Sequence, residues 1–148
     1  MTDRSFLKRN AKYHRIIVVI IVFVSIVLTY EYSSDSWNYN NGSPKVVGER
    51  SNGRDEGLWT WYFANGKKQM EGNFHNGKRS GTWIVWDSNG TKISESTYET
   101  DKLNGAFTRW FPSGQKESEG NYTDDKLTGM VLYYNEDGSI KEQKLYSN

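Results

Sequence analysis

The sequence predicts an all-β protein: a single elongated antiparallel sheet of tandem β-hairpin repeats, preceded by one N-terminal transmembrane helix. Three observations predict it. Two glycine series, Gly57, Gly81, Gly105, Gly129 and Gly66, Gly90, Gly114, Gly138, share one period of 24 residues, and a fixed period in this range signals a repeat architecture. Each period runs aromatic and β-branched residues into Asn65-Gly66 or Asn89-Gly90, the strongest short hairpin signal, with Ser113-Gly114 and Asp137-Gly138 as weaker equivalents. Ahead of the repeats, Ile16–Leu28 is apolar except for Ser25.

Composition narrows the classes. A chain of 148 residues holds one domain plus accessory segments. Aromatics reach 15%, which argues against a disordered chain. Residues 1–15 carry five basic residues (Arg4, Lys8, Arg9, Lys12, Arg15) against Asp3, a net +4, and the remainder nets −3. Phosphate binding needs a basic footprint, so a weakly acidic body argues against a nucleic-acid partner. With no cysteine, disulfides, thiolate metal sites, a cysteine nucleophile and a lipid-modified cysteine anchor are excluded.

The organisation follows in order. Residues 1–15 read as a basic cytoplasmic tail and residues 16–32 as a transmembrane anchor. With Thr29 and Tyr30 the run reaches 15 residues, ~22 Å as a helix against a hydrocarbon core of ~30 Å. Tyr13 and Tyr32 suit the two interfaces, and Arg15 can snorkel to lengthen the usable span. A cleaved signal peptide competes with this reading, although Leu28-Thr29-Tyr30-Glu31-Tyr32 lacks the small residues of a cleavage site. A buried core helix is a third reading, with little else helical to cover it. The charge asymmetry places the N-terminus in the cytoplasm and the repeats outside it, at the cell (inner) membrane as a single-pass protein. Residues 33–56 read as a linker and a degenerate capping repeat, and residues 57–148 as four full repeats.

Further columns share the period. Trp59, Trp83, Phe107 and Val131 form one, Phe74, Tyr98, Tyr122 and Tyr146 a second, and Glu71, Glu95, Glu119 and Gln143 a third. Lys78, Lys102 and Lys126 recur between repeats. In the degenerate copy Trp37, Gly42, Gly48 and Gly53 align with Trp61, Gly66, Gly72 and Gly77. Taking Asn-Gly as a two-residue loop pairs Trp59 with Gly72 and Phe74 with Gly57, so that large rings cover small partners on one face. The column Tyr62, Trp86, Trp110, Tyr134 then points to the other face. Its members lie two strands apart, so the rings do not stack directly.

The segments GLWTWYFANGKKQMEGNFHNGK from Gly57 and GTWIVWDSNGTKISESTYETDK from Gly81 resemble MORN repeats, specifically the variant type common in bacteria. The resemblance covers about residues 37–148 in five tandem copies, the first degenerate. It implies an elongated sheet of successive hairpins, a scaffolding or protein-binding role, sometimes at membranes, and no catalytic residues. Some bacterial relatives carry a toxin–antitoxin label. Asp101 and Asp125 depart from the pattern where Gly77 has glycine, which suggests a changed connector. A second, fainter resemblance is to choline- and glucan-binding repeats. Those place paired tyrosines after the asparagine-glycine turn, whereas here tryptophans precede it.

The chemistry-bearing residues support no enzyme. His14 lies beside the apolar run and His75 at a repeat junction, and neither recurs. The glutamate column reads as a strand position, because copies ~10 Å apart are too distant to share one ion at ~2.3–2.6 Å. Asn41-Gly42-Ser43, Asn89-Gly90-Thr91 and Asn121-Tyr122-Thr123 match a glycosylation pattern, but the first two read more simply as turns. No cofactor or metal is implied. The candidate binding residues are the stripe Tyr62, Trp86, Trp110 and Tyr134, read either as a buried core or as an exposed ladder for a peptide, a glycan or lipid headgroups. The expected function is a membrane-anchored scaffold that recruits a protein partner through that stripe or through the open strand near Leu145. The alternatives are an antitoxin or immunity-type neutralising protein and a cell-wall carbohydrate-binding module.

Overall fold

Residues 37–147 are described by a computed structural model, so the predicted anchor at 16–32 and the tail before it lie outside the described residues. Nine strands follow one another: β1 (Val46–Ser51), β2 (Arg54–Tyr62), β3 (Lys68–His75), β4 (Lys78–Trp86), β5 (Lys92–Glu99), β6 (Lys102–Trp110), β7 (Lys116–Thr123), β8 (Lys126–Tyr134) and β9 (Ile140–Tyr146). They form one antiparallel sheet in sequence order from β1 to β9. The final strand β9 is almost wholly exposed, with Leu145 73% accessible.

The two kinds of turn divide the work differently from the sequence reading. In the Asn65-Gly66 hairpin the Gly66 amide donates to Phe63 O at 2.9 Å and the Phe63 amide to Lys67 O at 2.8 Å. Only Gly66 takes a positive φ, of 79°. This is a three-residue loop built on a type I turn with glycine in the left-handed position, not a two-residue loop. The same pair of bonds recurs at Gly90, Gly114 and Gly138. A bulge that leaves Gln69 unpaired then restores the expected register, so Trp59 pairs with Gly72 and Gly57 with Phe74. The loop prediction was wrong by one residue, and the bulge compensated by one.

The two-residue loops sit between repeats instead. Asn76-Gly77, Thr100-Asp101 and Asp124-Asp125 hold both residues at positive φ, as Asn52-Gly53 does before them. Asp101 and Asp125 therefore do not change the connector's shape. Each aspartate keeps the backbone bond that Gly77 makes to Asp55 O at 2.8 Å and adds a side-chain bond to the preceding repeat. Asp101 N donates to Arg79 O at 3.1 Å and its Oδ1 accepts from Arg79 N at 2.9 Å. Asp125 does the same to Leu103, at 3.0 and 2.8 Å.

The core is the column Trp59, Trp83, Phe107 and Val131, all at most 6% exposed. A single sheet buries them by bulging. Gly81, Thr82 and Trp83 together oppose Gly72, because pairing passes from Glu71–Ile84 to Asn73–Ser80, and Gly81 takes the positive φ of 69° that the bulge requires. Trp83 thereby folds down onto Gly72, where an added Cβ would stand 2.2 Å from its ring. Its indole N–H donates to Asn73 O at 3.2 Å. The ring that covers Gly72 thus comes from the next repeat, and not from its register partner Trp59. Trp59 sits in turn on Gly48, with 2.1 Å to a built Cβ.

Among the three aromatic members ring size tracks the seat, while Val131 sits on a glycine, Gly120, with 2.8 Å to a built Cβ. Trp59 and Trp83 rest on glycines, whereas Phe107 faces Ser96, its partner in the register. In the same column β9 carries Lys144, whose ammonium lies 5.1 Å from the Tyr146 ring centroid.

Gly72→Ser forces a side chain into the Trp83 ring and should cost about 1–3 kcal/mol in urea unfolding. Gly72→Ser with Trp83→Phe reproduces the Ser96–Phe107 pairing and should recover part of that loss. No recovery would show that ring and seat are not matched. Thr100 is β-branched at φ 52°, so Thr100→Asn should raise stability by about 1 kcal/mol.

Candidate functional site

Alternation along the strands separates two faces. On one lie Tyr62, Trp86, Trp110 and Tyr134, all half-buried, so the stripe is neither a closed core nor a fully exposed ladder. The space between successive rings is taken by lysines from the intervening strands. Lys68 Nζ lies 5.8 Å from the Trp86 ring centroid and Lys92 Nζ 4.9 Å from that of Trp110. These contacts add cation–π attraction to the strand pairing. The lysines are held by the glutamate column: Lys68 bonds Glu71, Lys92 bonds Glu95 at 2.8 Å and Lys116 bonds Glu119 at 2.6 Å. Thr60 Oγ1 also donates to Glu71, at 3.1 Å, and Tyr134 O–H to Glu119, at 2.5 Å.

These bonds leave their mark on protonation. Glu119 is held below the usual carboxylate range, first by the Lys116 ammonium and then by the Tyr134 hydroxyl. Tyr134 is pushed up by the same bond to Glu119, and the Lys116 ammonium is stabilised in return. The column thus anchors cations over rings. Among the described residues no group of acidic or histidine side chains is placed to hold a metal ion. His75 is occupied with Glu56 at 2.9 Å, beside the Asn76 connector whose amide donates to Glu56 at 2.8 Å. The backbone donation from Asn76, and then His75, hold Glu56 below its ordinary value.

The eight repeat glycines are placed at two kinds of position. Gly66, Gly90, Gly114 and Gly138 occupy the left-handed position of the hairpin loops, and Gly57, Gly81, Gly105 and Gly129 lie within the strand bulges.

The opposite face carries a site that the column analysis missed. Trp61, Phe74, Trp83 and Tyr98 form a connected ring cluster: Trp61–Trp83 at 5.7 Å, Phe74–Trp83 edge-on at 5.0 Å, and Trp83–Tyr98 edge-on at 6.0 Å. With Met70, Val85, Ser94, Ser96 and Arg79 they line a concave site of about 290 Å³. Arg79 lies 4.2 Å from the Tyr98 ring centroid and donates through Nε to Asp101 at 3.2 Å. The residue responsible for the hollow is found by following the register. One row crosses the sheet as Val46, Trp61, Met70, Val85, Ser94, Arg109, Ser118, Tyr133 and Glu142. Within it the 24-residue column is Trp61, Val85, Arg109, Tyr133, and a column whose members differ escapes a search for periodicity. The available signal was that irregularity.

The family model for the MORN repeat variant matches residues 55–76, 79–100, 103–124 and 127–148, each span holding one of the pairs β2–β3, β4–β5, β6–β7 and β8–β9. The match does not extend to the degenerate copy, although Asn41 makes the same turn bond as Asn65, to Ser43 N in place of Lys67 N. No curated protein matches the chain. Among solved structures, the crystal structure of TarM is similar at 9% identity and a TM-score of 0.41, over 80% of this chain and 22% of that one.

Because Glu119 is acidified in the folded chain, its contribution to stability is present above the ordinary value of 4.5 and is lost as pH falls through the lowered one. Glu119→Gln should therefore unfold at lower urea than the parent at neutral pH, with the gap closing below pH 4.5. A gap independent of pH would remove the ion pair as its cause.

Proposed function

The chain belongs to the MORN repeat variant family, and from that premise we propose that it is a membrane-anchored, non-catalytic scaffold. In this reading residues 16–32 hold it in the membrane, and the hairpin array stands outside the cytoplasm to recruit a protein partner. The observation that carries the reading is the open sheet with half-exposed rings on both faces: the Tyr62, Trp86, Trp110, Tyr134 stripe on one and the Trp61–Tyr98 cluster on the other. Apolar rings set among polar neighbours suit a protein–protein contact. The anchor and its orientation rest on the apolar run and on the basic residues before it. The absence of catalysis rests on the sequence, where no nucleophile–base pair or cofactor loop recurs.

In-cell crosslinking of the full chain, followed by capture and identification, should return one dominant protein partner. Trp86→Ala with Trp110→Ala should lose it if the stripe is the contact, and Val85→Trp should lose it if the opposite groove is. Recovery of a toxic effector would move the reading to a neutralising, antitoxin or immunity-type protein. Recovery of wall glycan alone would move it to a carbohydrate-binding module.

A further inference from the structure

The groove on the ring face departs from the repeat in a directed way. A position that served packing alone would carry similar residues in every copy, as Trp59, Trp83, Phe107 and Val131 do. The column Trp61, Val85, Arg109, Tyr133 changes size at each step and carries a charge only at Arg109. The small Val85, between Met70 and Ser94 in the register, opens the hollow beside Trp61. The next member, Arg109, stands directly opposite Ser94 on the neighbouring strand. Arg109 is exposed and makes no ion pair among the described residues, whereas Arg79, the other cation beside the groove, is paired with Asp101.

We propose that this groove binds an acidic, aromatic segment of a protein partner: one aromatic side chain seated in the Trp61, Phe74, Trp83, Tyr98 cluster, and a carboxylate further along the segment on Arg109. The inference rests on the reading of the chain as a partner-recruiting scaffold and names the chemistry of what it recruits. The host rings already meet edge-on, at 89° for Phe74–Trp83 and 71° for Trp83–Tyr98. An aromatic guest continues that arrangement, which rings prefer to a face-to-face sandwich. Arg79 is committed to Asp101 and to the face of Tyr98, so it serves as a wall, and Arg109 is the cation left to meet an anion. Val85 on β4 and Arg109 on β6 are two strands apart, ~10 Å; side chains on one side of an extended peptide recur every second residue, ~7 Å, and the long arginine and acidic side chains reach across the rest. The recognised pattern is therefore an aromatic residue followed by an acidic one two positions on, both on the same side of the extended segment. A cationic segment is disfavoured by both arginines.

The test uses the full chain in detergent, labelled with ¹⁵N at its six tryptophan indoles, each assigned by a Trp→Phe variant. The probes are the capped pentapeptide Gly-Phe-Gly-Glu-Gly, its counterpart with Gln for Glu, and methyl glucoside, titrated into the low millimolar range. The indole signals of Trp61 and Trp83 should shift saturably with the Glu peptide while those of Trp86 and Trp110 stay. The Glu peptide should bind about three- to fivefold more tightly than the Gln peptide, and the difference should vanish in Arg109→Gln. Val85→Trp, which repeats the residue present at Trp61, should abolish the shifts while the other indole signals keep their positions. Three results would overturn the proposal: no saturable shift at Trp61 and Trp83, equal affinity for the two peptides, or binding of the glucoside in place of the peptide. A protein captured by crosslinking beside a failed peptide titration would refute the groove's occupant and leave the scaffold reading standing. A successful titration with no captured partner would do the reverse.

Discussion

The seating of one repeat's ring on the preceding strand's glycine governs the rest of this structure. Among the described residues this antiparallel sheet has no second layer to bury its apolar side chains. Here burial is achieved within the sheet. The even strands from β2 to β8 each bulge, and in β2 and β4 the tryptophan of the bulge drops into the space that a Cβ would have filled on Gly48 and Gly72, as Val131 of β8 does on Gly120. The bulge frees a carbonyl, and in the first two copies the indole N–H of the seated tryptophan satisfies it. Packing and hydrogen bonding are therefore solved by the same residue, and neither works in an isolated hairpin, because ring and seat belong to different repeats.

That arrangement makes stability a nearest-neighbour property. Only strands adjacent in sequence pair, and the side-chain bonds that reach further link one repeat to the next: Asn65 to Ser88 O at one edge, Asp101 and Asp125 to the preceding repeat at the other. Such arrays fold by local propagation with low loop-closure cost. They also tolerate changes on the faces, since the ring-and-glycine seats carry the coupling. This freedom explains how Trp61, Val85, Arg109 and Tyr133 can differ so widely without disturbing the sheet.

Much of the fold was legible because the residues that build it are periodic. The glycine series, the hairpins and the register of Trp59 with Gly72 all followed from spacing. The loop type did not, because Asn-Gly serves both a two-residue turn and the left-handed end of a three-residue one, and the Gln69 bulge hides the difference by restoring the pairing. The source of the ring on Gly72 was missed for a related reason: alternation names the register partner, and a bulge of the following strand cannot be read from alternation. Of the candidate sites, the stripe was visible as a repeated column. The lysines over its rings became apparent only once the bulge had set which side chains share a face. The groove escaped because its column is irregular, and a period search rewards sameness.

Lys144 sets β9 apart from the earlier odd strands. It stands where Gly48, Gly72, Ser96 and Gly120 stand in the earlier odd strands, and a ring seated there as Trp83 is on Gly72 would have to displace its long side chain, now turned toward Tyr146. A copied unit of 24 residues inserted among the internal hairpins keeps every ring matched to a small residue. The same unit joined after β9 meets an occupied position.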